Sequence, residues 1–151
     1  RLMGVEADRV ITDPATLAAR LPEFSDIEKT DEVIFMLHVG TARLALDWDG
    51  IASRAGVSYL SPANDSRMVI RRLVGARLVV TESLHGAILA DAFRVPWVTM
   101  AISPTFTAHK FHDWAESMET DMRIPVPRPA QGALRPQAAP FERKGRRLWR
   151  W

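Results

Sequence analysis

In the stretch RLVVTESLHGAILADAFRVPWVTMAI, Arg77–Ile102, a histidine and a serine stand where chemistry can be done. The His85 imidazole exchanges a proton near neutral pH. Ser83 precedes it by two positions and Gly86 follows it directly. Beyond Gly86 the pattern turns helical, and a helix start offers unpaired N–H groups and the positive end of a dipole, a site suited to phosphate. Gly86, with no side chain, would let a ligand approach the backbone. A plainer reading uses the same residues: Ser83 caps the helix and His85 fills a polar gap. The spacing points to anion binding with proton transfer and does not name a reaction.

These residues need a scaffold, and the flanking pattern supplies one. Leu78, Val79 and Val80 followed by Thr81 read as a buried strand. Ile88, Leu89, Ala92 and Phe93 recur at helical spacing, with Asp91 and Arg94 between them. Pro96 halts that helix, and Val95–Met100 reads as the next strand. Ligands of open α/β sheets bind beyond the carboxyl ends of the strands, where this loop would lie. Upstream, Val33–Val39 (VIFMLHV) reads as a strand ending on His38 and Gly40, and Leu46–Ala55 as a helix with Trp48, Ile51 and Ala52 on one face. Val57–Leu60 reads as a strand. A helix capped by Asp65 or Ser66 then runs to Val74, with Met68, Val69, Leu73 and Ile70 as inward candidates. Strands and helices thus alternate from Val33 to Met100, which predicts an α/β fold: a parallel sheet with helices on both faces and right-handed crossovers.

The ends are less regular. Arg1–Val5 reads as a helix end stopped by Gly4, and Val10–Ile11 as a short strand. Asp13 and Pro14 open a helix through Leu21. Pro22–Glu32 is a polar connector where a domain boundary could fall. After the loop Ala101–Ala108, an amphipathic helix is expected from His109 to Met118. Ile124–Pro140 carries Pro125, Pro127, Pro129, Pro136 and Pro140, and reads as an extended linker. The expected division is therefore 1–22 as the end of an amino-terminal half lying before this chain, 33–123 as the α/β domain, and 124–151 as linker and basic tail.

The chain of 151 residues has a formal charge of +2 and no cysteine, so disulfide and thiolate chemistry are excluded. The positive charge gathers in Phe141–Trp151, where Arg143, Lys144, Arg146, Arg147 and Arg150 mix with Trp149 and Trp151. That tail suits an anionic membrane surface or a basic arm, or is simply an unstructured end. Elsewhere acids and bases balance, so a nucleic-acid surface over the domain is not expected. No apolar run is long enough to span a bilayer. No cluster of His, Asp or Glu has metal-ligand spacing, so no metal site is expected.

Thr81–Val98 (TESLHGAILADAFRVPWV) closely resembles the polysaccharide pyruvyl transferase family. Lys110–Trp114 (KFHDW) is similar to that family's Lys-Trp-x-Asp-Trp segment, Met36–Gly40 (MLHVG) to its strand-end histidine loop, and Val10–Leu17 (VITDPATL) to the segment closing its amino-terminal half. The resemblance runs in order from Gly4 to Met118. It implies a Rossmann-like domain forming the carboxy-terminal half of a GT-B-like enzyme. It also implies transfer of a pyruvyl group from phosphoenolpyruvate to two hydroxyls of a sugar, making a ketal. The acceptor would be an exopolysaccharide saccharide, often lipid-linked at the cytoplasmic face of the membrane, and no cofactor is implied.

On that resemblance His85 is the candidate acid, with holding the phosphate or activating the hydroxyl as other roles. Ser83 and the N–H groups of Gly86 and Ala87 would hold the phosphate. Other branches of the family carry Arg-Leu-His-Gly where this chain has Ser83-Leu84-His85-Gly86, and Lys110 is the candidate cation in place of that arginine. Arg71 and Arg72 lie mid-helix and read as surface charges. His38 and Glu82 are further candidates for substrate binding. Asp113 would cap the Lys110 helix or orient a site group, and Trp97 and Trp114 read as core. Two other functions remain open: a glycosyltransferase using a nucleotide sugar, gripped through Glu82 or Asp91, and an inactive binding half-domain.

Overall fold

Strands β1 (Val33–Met36), β2 (Ser58–Tyr59), β3 (Leu78–Thr81) and β4 (Trp97–Thr99) form one sheet in the order β2-β1-β3-β4, with every pair parallel. The computed structural model describes residues 13–104, 106–119 and 122–125. The features expected at Arg1–Val5 and Val10–Ile11, the proline-rich stretch beyond Pro125 and the basic tail lie outside the described residues. Among the described residues five α-helices punctuate the strands: α1 (Val39–Ala42), α2 (Trp48–Arg54), α3 (Ser66–Gly75), α4 (Leu84–Ala92) and α5 (Ala108–Ser117). The expected α/β class is what forms.

The central pair β1–β3 alternates half-buried and buried residues. Ile34 lies opposite Val79 and Met36 opposite Thr81, so their buried side chains share one face. Ile34, Met36 and Val79 join Leu60, Val69, Leu73, Ala76, Ala90 and Val95 in one core cluster. The chain leaves β1 for β2 on one side and later returns to β3 on the other. With right-handed crossovers this reversal puts α2 on one face and α3 and α4 on the opposite one. It also leaves a crevice between the loops that follow β1 and β3, the usual ligand position in an open parallel sheet.

Several boundaries differ from those expected. β1 stops at Met36 because His38 turns the chain and caps α1. Asp13 and Pro14 do start a helical segment, but it is a 3-10 helix, Pro14–Arg20, with no buried residue and with Leu17 64% exposed. In α3 the inward residues are Val69, Leu73 and Val74, whereas Met68 is exposed and Ile70 only half-buried. Helix α4 buries Gly86, Ala87, Ile88 and Ala90, a broader surface than one stripe, because it is covered by the sheet, by α3 and by the 3-10 segment. It ends before Pro96: the N–H groups of Arg94 and Val95 donate to the carbonyls of Asp91 and Ala90, with Arg94 at φ 57°. That is a Schellman ending with arginine where glycine is usual.

The connector 22–32 is fastened to the body. Phe24 is buried edge-on against Phe93 at 6.0 Å, and the Arg71 guanidinium lies over its ring. Lys29 Nζ donates to the Val74 carbonyl at 2.6 Å, Thr30 N–H donates to the Gly75 carbonyl at 2.7 Å, and Arg72 pairs with Glu32. Helix α5 buries Phe111, Trp114 and Ala115, the i, i+3, i+4 stripe of an amphipathic helix. Among the described residues no helix is long and apolar enough to cross a membrane.

Candidate functional site

The loop between β3 and α4 is shaped by its own hydroxyls. Thr81 Oγ1 accepts from Ser83 N–H at 2.9 Å and donates to the Ser83 carbonyl at 3.2 Å. Ser83 then caps α4, its Oγ accepting from Gly86 N–H at 3.4 Å. This turn leaves His85 outside the packed layer, with 68% of its side chain exposed. The ring belongs to a cavity of about 150 Å³ lined by His38, Glu82, Ser83, Leu84, His85, Ser103, Phe106, Thr107, Lys110 and Phe111. The space sits beyond the carboxyl ends of β1, β3 and β4, where the sheet reversal places a crevice. It is smaller than pockets that enclose a drug-sized ligand, and suits a small anion more than a saccharide.

His38, Glu82, Ser83, His85 and Lys110, expected at the site from their positions in the chain, therefore come together. Gly86 and Ala87 do not line the cavity. Gly86 N–H is engaged by Ser83, and Ala87 N–H donates to the Ser83 carbonyl at 3.1 Å. The missing side chain of Gly86 serves packing: a Cβ there would come within 2.6 Å of Thr81 Oγ1 and 3.3 Å of Met36 Sδ. Ala87 is fully buried. The first two helical positions, Leu84 and His85, both line the cavity, and their N–H groups have no acceptor inside the helix.

Glu82 is 2% exposed, and its carboxylate binds backbone rather than an arginine. Oε2 accepts from His38 N–H at 3.3 Å and Oε1 from Ser103 N–H at 2.8 Å. One side chain thus ties the loops after β1 and β4 to the end of β3. Burial of a carboxylate is tolerable here because both oxygens have donors. The His38 ring is exposed, and its Nδ1 accepts from Gly40 N–H at 3.2 Å. A neutral ring so engaged carries its proton on Nε2, leaving an N–H donor at the cavity edge. Lys110, exposed on α5, pairs with no carboxylate among the described residues. It and the two helix-end N–H groups are the positive features of the crevice, set against the carboxylate of Glu82.

Other candidates fall elsewhere. Arg71 and Arg72 are engaged with Phe24 and Glu32 and do not line the cavity. Asp113 is exposed in the middle of α5, whose N-cap is Thr107, so the capping role expected for it is not the one observed. Trp114 is buried and meets Trp97 at 5.7 Å, a core contact as expected. Asp91 accepts from Trp97 Nε1 at 3.4 Å. Among the described residues no group of three or more His, Cys, Asp or Glu could hold a metal ion.

Sequence reasoning missed two parts of the site. Ser103, Phe106 and Thr107 were visible only as a loop, although that loop follows the carboxyl end of β4. Phe106 stacks on Phe111 at 5.1 Å and walls the cavity. Asp13, read only as a cap, places Oδ2 3.7 Å from His85 Nε2. No local pattern links residues so far apart in the chain.

An open parallel sheet with a histidine-bearing helix start at its switch point defines an α/β domain with a small polar crevice beyond its strand ends. Residues 9–104 match the polysaccharide pyruvyl transferase family, and the chain belongs to that family. It is 37% identical over 150 residues to the succinoglycan biosynthesis protein ExoV of Rhizobium meliloti (strain 1021), an alignment covering 97% of this chain and 44% of that protein. The chain thus spans less than half the length of that relative. No solved structure matches it.

Proposed function

We propose that this chain supplies the histidine-bearing part of a polysaccharide pyruvyl transferase, which moves a pyruvyl group from phosphoenolpyruvate to a sugar of an exopolysaccharide and forms a ketal. The observation that carries the reading is the convergence of His85, Lys110 and a helix start on one small cavity, in a chain of this family. Phosphoenolpyruvate brings a phosphate and a carboxylate. Lys110, the Nε2–H of His38 and the N–H groups of Leu84 and His85 are the donors available to them.

In the reaction, His85 gives a proton to the methylene carbon of the enol, creating an oxocarbenium-like centre at the neighbouring carbon. One sugar hydroxyl adds there, and its proton restores His85. A second hydroxyl then displaces phosphate and closes the ketal, its proton leaving with the phosphate. The acceptor is a saccharide, and the basic tail Phe141–Trp151 would bring the protein to a lipid-linked acceptor at the inner face of the membrane. The competing nucleotide-sugar reading needs a carboxylate open to a ribose. Both oxygens of Glu82 already accept backbone N–H groups, and Asp91 accepts from Trp97, which disfavours it.

The test is incubation with phosphoenolpyruvate and a saccharide acceptor, scoring phosphate release and acid-labile pyruvate on the sugar. Both should appear together and should be lost in His85→Gln. Turnover of a nucleotide sugar, with none of phosphoenolpyruvate, would sink the reading.

A further inference from the structure

The carboxylate of Asp13 divides its two oxygens between two tasks. Oδ1 accepts from Ala15 N–H at 2.8 Å and caps the 3-10 helix. Oδ2 lies 3.7 Å from Nε2 of His85. The residue itself is firmly mounted: its carbonyl accepts from Thr16 N–H at 3.2 Å and from Thr16 Oγ1 at 2.8 Å, and Pro14 fixes the backbone that follows. The 3-10 segment lies against α4, so Asp13 and His85 are carried on elements that pack together.

We infer that Asp13 is the positioning residue for His85, holding the ring with its Nε2–H toward Oδ2 and leaving Nδ1 to face the reacting anion. The inference rests on the reading of His85 as the proton-transfer group. Both partners keep substantial contact with water, at 68% and 28% side-chain exposure, so the pair adds little to folding stability. Its value is orientation: a histidine that must deliver a proton needs one defined tautomer and one ring rotation, and a carboxylate behind it supplies both. It also offsets the positive charge that the ring carries before it gives up its proton. A separation of 3.7 Å without substrate is wider than a hydrogen bond, and such contacts commonly tighten when substrate binds.

Asp13→Asn isolates this role, because asparagine caps a helix start as well as aspartate does. Its Oδ1 can keep the bond from Ala15, while its amide presents N–H groups to the ring in place of an acceptor. In 15N-labelled protein of the full 151-residue chain, at a pH where the ring is neutral, the His85 signals should move from the Nε2–H pattern to the Nδ1–H pattern. The kcat for phosphate release from phosphoenolpyruvate should fall about 100-fold or more, with KM within about twofold, as expected for a wrongly held tautomer. Asp13→Ser also keeps a cap oxygen but is too short to reach the ring, and should lower kcat without changing KM.

His85 ring signals unchanged in Asp13→Asn, or kcat within twofold of the parent in both variants, would overturn the assignment. If the ring signals move but the parent protein releases no phosphate from phosphoenolpyruvate, the pairing stands and the proposed reaction falls.

Discussion

His38 and His85 occupy matching places, each just past a central parallel strand, each near a glycine and each at a helix start. Their rings do different work. His38 is itself the cap of α1, with Nδ1 committed to the N–H of Gly40. At α4 that task belongs to Ser83, which leaves the His85 ring outside the cap, standing in the cavity with Asp13 beside it. A separate hydroxyl for the capping bond is what leaves the imidazole at α4 free of the cap. The glycines differ in the same way: a Cβ on Gly86 would strike Thr81 in the sheet, whereas one on Gly40 would meet only the movable His38 ring at 3.3 Å.

This contrast can be broken most directly at the rings. His85→Gln should lower phosphate release from phosphoenolpyruvate by about 100-fold or more, the range for loss of a positioned acid, with circular dichroism unchanged. An equal loss in His38→Ser would erase the distinction. Next comes the carboxylate that joins the two loops. Glu82→Gln leaves one of the two backbone N–H groups without a good acceptor, and denaturant unfolding should report a loss of about 1–3 kcal/mol.

Gly86→Ala should destabilise by about 1–2 kcal/mol through overpacking against Thr81. Gly40→Ala should stay within about 0.5 kcal/mol of the parent, because a ring can move where a sheet cannot. His38→Ser exchanges one capping group for another, so the fold should be little affected. It removes a single donor from the cavity, so KM for phosphoenolpyruvate should rise about fivefold, the worth of about one hydrogen bond, with kcat held.

The fold was legible because its signals are local. Apolar runs at β1 and β3 and the helical spacings between them fix the alternation, and alternation fixes a parallel sheet. His38, Ser83 and His85 were legible for the same reason: a strand end and a helix start locate them without any tertiary contact. What escaped depends on contacts between distant segments. Asp13 looks like an ordinary cap until the 3-10 segment lies against α4. Glu82 looks like a site acid until the loops carrying His38 and Ser103 converge on it. Gly86 looks like a ligand-facing glycine until the sheet beneath it is seen to be 2.6 Å from its absent Cβ. The shortened β1 belongs to the same class, since a histidine cap cannot be told from a strand residue by hydropathy.

The indoles of Trp97 and Trp114 lie 5.7 Å apart at a tilt of 53°, one on β4 and the other on α5. Two such chromophores in contact couple their transitions, and the coupling vanishes once they separate. The protein thus carries an optical gauge of whether the wall bearing Lys110 is seated on the sheet, readable by circular dichroism in unlabelled material. Ligand binding that shifts that wall would announce itself in the same signal.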